Sequence, residues 1–265
     1  MDWSTVGSQF CLGLAFGVLL ALAFVPKAPV GRFFYQLMGG SAAVPLLLAL
    51  IFPLAAAEEG QRASWSDPRV LITAVALLGL VFVSGFTRGR NWVVALSLTL
   101  AAILAALVLT VRLSLEGAGP GQLALASLSA AATGTVAGSV GLAMVLGHWY
   151  LTVPKLEVAH LVRLNRVTVA AMVASSVLVS LTCLVFADRF ESADVPLFSP
   201  FGLFHFLTRV AVGLLLPLLF AWMTAGSLKF KNTRSATGIL YASTVLVLIG
   251  AAASVTLQQS YGVPL

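Results

Sequence analysis

The sequence predicts an all-α integral membrane protein with eight transmembrane helices. Three observations predict it. Sixty per cent of the 265 residues are hydrophobic and only 9% are charged, where a soluble domain carries about a quarter charged residues. Mean hydropathy is +1.03. The apolar residues also fall into eight runs, most of them near the roughly 20 residues that cross a bilayer. A chain so poor in ionic groups has too few of them to cover its surface in water, so the lipid bilayer is its first partner.

The runs lie at 3–25, 33–56, 69–86, 92–113, 122–153, 161–187, 200–226 and 236–258. The third is short and the fifth long. All the connections are short, and none is large enough to form a separate extramembrane domain. Met1-Asp2-Trp3-Ser4 brings no basic stretch before the first run, so that run is expected to stay as a helix and not to be cleaved as a signal peptide. Cys11 and Cys183 both lie inside apolar runs and are read neither as a disulfide nor as a metal pair.

Charge sets the expected orientation. The loops joining spans 1–2, 3–4, 5–6 and 7–8 carry Lys27, Arg32, Arg88, Arg90, Lys155, Arg163, Arg166, Lys229, Lys231 and Arg234, with Glu157 as their acid. The opposite side carries Arg62, Arg69, Arg112 and Arg189 among eight acids. The first side is therefore expected in the cytoplasm, with both termini outside it, as for a multi-pass protein of the cell inner membrane. The net charge of +6 follows from this loop pattern. It forms no basic patch with interleaved aromatics, so no nucleic-acid partner is expected. Trp3, Trp65, Trp92, Trp149 and Trp222 fall near span ends, where indole prefers the headgroup level.

Gly13-Leu14-Ala15 with Val25-Pro26-Lys27 and Val30 recurs 128 residues later as Gly141-Leu142-Ala143 with Val153-Pro154-Lys155 and Val158. An even number of crossings separates the copies, so the repeat is parallel. It suggests two four-helix halves, 1–121 and 122–265, related by a pseudo-twofold along the membrane normal. Span 5 is rich in small residues, and Gly134 with Gly138 forms a small-xxx-small pair suited to close helix packing. Pro45, Pro53 and Pro217 lie inside spans. They are expected to bend them and to free carbonyls that need other partners.

Polar side chains at membrane depth mark candidate sites. His148 and His160 stand six residues either side of Pro154, at similar depth in an antiparallel hairpin. Such a pair suits a haem b iron, a quinone head group or proton movement. The plainer alternative makes His160 a solvated loop residue and His148 an interfacial cap. His205 and Arg209 stand one turn apart on span 7. Both lie in its outer half and suggest a pocket near the outer surface for an anionic or carbonyl-bearing ligand such as a quinone, or else an Arg209 paired with Asp188 or Glu191. Tyr35, Gln36 and Asn165 read as interfacial anchors. Gln258-Gln259-Ser260-Tyr261-Gly262 reads as a wet helix end or a partner contact. The rest of the bilayer midplane reads as almost entirely Ala, Leu, Val and Gly. The sequence has no CxxC, HExxH, Walker or dinucleotide fingerprint.

Arg209 heading an apolar run with Pro217, then Leu248-Ile249-Gly250 followed by Gln258, Gln259, Ser260, Tyr261 and Gly262, resembles the last two spans of the NrfD-like family. These are the membrane anchor subunits of the polysulfide and DMSO reductase type. The resemblance implies two four-helix bundles, both termini outside, and exchange of electrons or protons with quinol on behalf of a partner redox subunit. Ala251 stands where that family often carries an acid, so no catalytic residue is carried over. The leading expectation is a membrane subunit of a larger respiratory or redox complex that anchors other subunits, contacts quinone or haem b, and does no catalysis alone. The alternatives are a small-solute transporter and a structural membrane subunit without a ligand.

Overall fold

The computed structural model describes residues 3–25, 31–56, 62–85, 89–115, 117–153, 156–192 and 196–265, the side chains of 191 and 192 excepted. Among these residues every regular element is helical. In order they are α1 (Trp3–Ala23), α2 (Arg32–Leu54), α3 (Pro68–Gly85), α4 (Arg90–Ser114), α5 (Pro120–Thr152), α6 (Ala159–Val185), the short α7 (Ala187–Ser192), α8 (Pro200–Leu207), a π-helical stretch (Thr208–Leu215), α9 (Leu216–Lys229) and α10 (Thr233–Tyr261). α8, the π-helical stretch and α9 run on without a break, so eight helices are long and apolar enough to cross a membrane. The chain is a multi-pass membrane protein by that measure.

The helices start and stop where local chemistry directs. Asp67 precedes Pro68, and its carboxylate accepts the Arg69 backbone N–H at 2.8 Å. Ser199 precedes Pro200 and accepts the Gly202 N–H at 3.2 Å, while Asn232 accepts that of Ser235 at 3.1 Å. Each satisfies a first-turn donor that the helix leaves open. Gly262 ends α10 in the left-handed conformation, φ 60°, which a side chain rarely adopts.

α1 packs against α2, α4 and α5, and α2–α3 and α3–α4 are neighbours. α5 packs against α6 and α10, α10 against all parts of the seventh span, and α6 against the π-helical stretch and α9. The contact between α6 and the seventh span is the sparsest of these in the second half. A large apolar cluster around Leu12, Leu19, Phe34, Leu107, Leu146 and Leu164 joins α1 to the helices around it.

The closest approach is between α1 and α5, as the small residues of span 5 predicted. A Cβ built on Gly17 would stand 1.8 Å from the Gly134 carbonyl oxygen, and one on Gly138 would stand 2.1 Å from the Gly17 carbonyl carbon. The facing glycines, Gly13 with Gly134 and Gly17 with Gly138, are offset by 121 residues, one heptad short of the 128-residue repeat. Equivalent positions of the repeat therefore differ in height by about 10 Å where the two helices meet. Pro26, Lys27, Pro154 and Lys155 of the repeat lie outside the described residues, as do Arg88 and Glu58.

α2 runs through Pro45 and Pro53 without a break. Pro53 has no N–H for the Ala49 carbonyl, and Ser8 of α1 donates to it at 3.2 Å instead. At Pro217 the helix widens: the Leu216 N–H reaches back five residues to the Ala211 carbonyl.

Two of the tryptophans near span ends are covered by neighbouring aromatic side chains. Trp92 is buried and Trp149 half-buried, and they pack with Tyr35 and Phe34 at centroid distances of 6.2 and 5.6 Å. Tyr35, expected as an interfacial anchor, is likewise buried and donates to the Val25 carbonyl. Gln258, expected at a wet helix end or a partner contact, is buried within the chain itself. It exchanges two hydrogen bonds of 3.1 Å with Gln9 and donates to Ser114 at 2.8 Å, clasping α10 to α1 and α4.

Candidate functional site

Arg209 is the largest fully buried side chain among the described residues, at 1% exposure. It stands nine residues into a 30-residue span that begins at Pro200, about 14 Å along the axis, so it lies in the half of the span nearer Pro200. Its Nη2 donates to the Thr133 hydroxyl on α5 at 2.8 Å and to the Ser175 hydroxyl on α6 at 2.7 Å. Its Nε has no partner. No carboxylate of a described residue lies within ion-pair distance; the ion pair recorded among those residues is Arg69–Asp67. In place of the pairing weighed with Asp188 stand neutral hydroxyls, and the Glu191 side chain lies outside the described residues; among the described residues the charge is uncompensated.

Backbone geometry places the arginine there. It is the second residue of the π-helical stretch, and single wide turns of this kind recur at functional sites. Gly213 of the stretch meets Gly250 of α10, where a built Cβ would stand 2.5 Å from the Gly250 Cα. The seventh span is therefore drawn onto α10 just after Arg209, while its guanidinium reaches across to α5 and α6.

The interior around Arg209 is more polar than the sequence reading held. Thr168, Ser175 and Thr182 repeat every seven residues on α6, and all three are buried. Thr168 donates to Ser139 of α5 at 2.9 Å. Asn165, expected as an interfacial anchor, is buried at the same seam and donates to the Ala221 carbonyl of α9 at 3.0 Å. The hydroxyls of Ser129, Thr182 and Thr224 and the Asn165 carbonyl oxygen are buried without a partner. The midplane is thus not a purely apolar layer. A cavity of about 20 Å³ touches Thr133, Gln9 and Ser254, enough for about one water.

The histidines are placed differently from one another. His148 is exposed, and its Nδ1 lies 3.4 Å from the Tyr241 hydroxyl. His160 belongs to the first turn of α6 and is buried at 8% exposure, with neither ring nitrogen partnered. It is therefore not a solvated loop residue. His205 is half-buried. Its Nδ1 lies 2.9 Å from the Phe201 carbonyl, and its ring centroid is 4.2 Å from the Phe201 ring. The change from α to π geometry at Thr208 falls between His205 and Arg209. His205 lies against its own turn at Phe201, while the Arg209 guanidinium bonds α5 and α6.

Outside the spans, Arg69 holds Asp67 with side-chain hydrogen bonds of 2.9 and 3.2 Å. Partial burial pushes the carboxyl up, but these bonds and the arginine's charge outweigh it and hold Asp67 below the usual carboxylate value.

The fold and this interior define an eight-span helical membrane protein with an arginine buried inside its seventh span, unpaired with any carboxylate of the described residues. No protein-family model, curated protein or solved structure matches the chain.

Proposed function

We propose that the chain is the membrane subunit of a larger respiratory or redox complex and that it holds the head group of a quinone at Arg209. One observation carries this reading: an unbalanced guanidinium buried inside the seventh span, with Nε unpartnered, beside the sparsest seam of the second half. A lipid-soluble molecule would reach it laterally, between α6 and the seventh span. A quinone carbonyl accepts hydrogen bonds and gains electron density on reduction, so a fixed cation favours its reduced, oxyanionic forms. A charge kept in hydrocarbon without a counter-ion costs free energy that a ligand offsets.

The proposal includes the 4+4 arrangement, with 1–121 and 122–265 as halves, both termini outside the cytoplasm, and the cell inner membrane as location. The neighbour pattern α1–α2–α3–α4–α1 and α5–α6–seventh span–α10–α5 supports the halves. The slip of one heptad at the α1–α5 contact means that a duplication must include a shift along the membrane normal. Haem b between His148 and His160 has less support, because one imidazole is exposed beside Tyr241 and the other is buried.

The test is purification in mild detergent, identification of co-purifying proteins, and binding of a short-chain quinone to wild type and Arg209→Met. Co-purification of redox subunits together with quinone binding lost in the variant supports the reading. Neither a partner nor quinone binding in wild type overturns it. The buried hydroxyl row on α6 favours one second reading, transport of a small anion past Arg209. Uptake into proteoliposomes containing the chain alone distinguishes it.

A further inference from the structure

Arg163 and Arg166 stand one turn apart at the start of α6, both exposed. Beside them a cleft of about 450 Å³ opens between α1, α5 and α6, walled by Leu20 of α1 and Phe24 just after it, Thr135 of α5, and Val167 and Ala170 of α6. The walls are apolar in effect, because the Thr135 hydroxyl is committed to the Ala131 carbonyl at 2.7 Å. Arg163 reaches across the mouth to the Phe24 carbonyl at 3.4 Å. Arg166 makes no hydrogen bond or ion pair with a described residue. The cleft thus joins an apolar slot to two cations at its rim.

We propose that this cleft seats one anionic phospholipid, its phosphate between Arg163 and Arg166 and an acyl chain against Leu20 and Val167. The charge at the rim favours a lipid over a partner's helix: it presents two positive charges to an unpaired anion, as basic pockets between transmembrane helices do for phospholipid head groups. The apolar walls below the rim suit a chain of methylenes. Seated there, the lipid contacts α1 on one wall and α5 and α6 on the other. It reinforces the junction that Gly17 and Gly138 bring close.

The test uses the full chain, delipidated in mild detergent and then titrated with phosphatidylglycerol or with phosphatidylcholine of the same chains, read by native mass spectrometry and thermal unfolding. One phosphatidylglycerol per chain is expected to be retained, with a larger rise in unfolding temperature than phosphatidylcholine gives. Arg163→Gln with Arg166→Gln is expected to weaken phosphatidylglycerol about thirtyfold, from roughly one kcal/mol per basic residue. Ala170→Phe, which fills the slot and keeps both charges, is expected to weaken it too. Arg32→Gln with Arg234→Gln removes two exposed arginines away from this cleft and is expected to leave binding within about twofold. Equal retention of phosphatidylcholine overturns the proposal, as does equal loss in the Arg32 and Arg234 variant. Displacement by inorganic phosphate alone overturns it as well, and so does a co-purifying protein that excludes the lipid from the cleft.

Discussion

Replacing Arg209 with methionine is expected to leave the protein as stable as wild type or about 1 kcal/mol more stable, while quinone binding is lost. An arginine inside a span costs up to about 3 kcal/mol on insertion scales. Its two hydroxyl partners, at 2.8 and 2.7 Å, return about 0.6 kcal/mol each on average in a membrane, together less than that cost. Methionine fills much of the space without a charge. Thr133→Val acts the other way: it takes an acceptor from a guanidinium whose Nε is already open, a loss of about 1–3 kcal/mol. In the Arg209→Met background the same Thr133 change is expected to cost under about 0.5 kcal/mol, giving a clear coupling energy. Unfolding in mixed micelles by a denaturing detergent, run on all four proteins, measures the cycle. If Arg209→Met lowers stability by more than about 2 kcal/mol, the arginine is a structural pin and the argument from its uncompensated charge fails.

Three further expectations rest on other contacts. Gly17→Ala and Gly138→Ala each put a methyl inside the backbone of the facing helix and are expected to cost about 2–4 kcal/mol; Gly141→Ala, with open space around it, should change stability little, and a neutral Gly17→Ala refutes the packing argument. Gln258→Leu leaves the Gln9 amide buried and alone, a loss of about 1–3 kcal/mol, and adding Gln9→Leu should recover most of it in the same unfolding assay. Because Asp67 is held below its usual carboxylate range, its contribution is present above the unfolded carboxylate value near pH 4 and fades as pH falls through the lower folded value. Wild type and Asp67→Asn should therefore converge in unfolding temperature at acid pH, and a gap that widens on acidification contradicts the assignment.

The spans were legible because hydrocarbon imposes a length and a composition on every crossing. Each apolar run became a helix with ends shifted by a few residues, as at 92–113 against Arg90–Ser114. The small residues of span 5 signalled its close contact, although not that Gly13 and Gly17 of α1 were the partners. Arg209 was found from depth alone. Its surroundings were missed because hydroxyl residues read as neutral in an apolar helix: many bond their own preceding turn, as Ser176 does with the Met172 carbonyl. The seven-residue spacing of Thr168, Ser175 and Thr182 was present in the sequence, but only the fold shows that it faces α5 and Arg209. The π-helical stretch gave no periodic signal either, although Pro217 marked the place. Gln9 escaped notice because a single amide near a span end usually meets water, whereas here Gln258 comes from 249 residues away to meet it.

That glutamine clasp sets a condition on biogenesis. Helices leave the ribosome in order, so Gln9 enters the bilayer long before Gln258 is made. Until α10 arrives the Gln9 amide has no mate in the finished fold, and the first helix carries an open polar tag. Insertion of the eighth span erases that tag, so the first helix reaches its final hydrogen bonding only once Gln258 is in place.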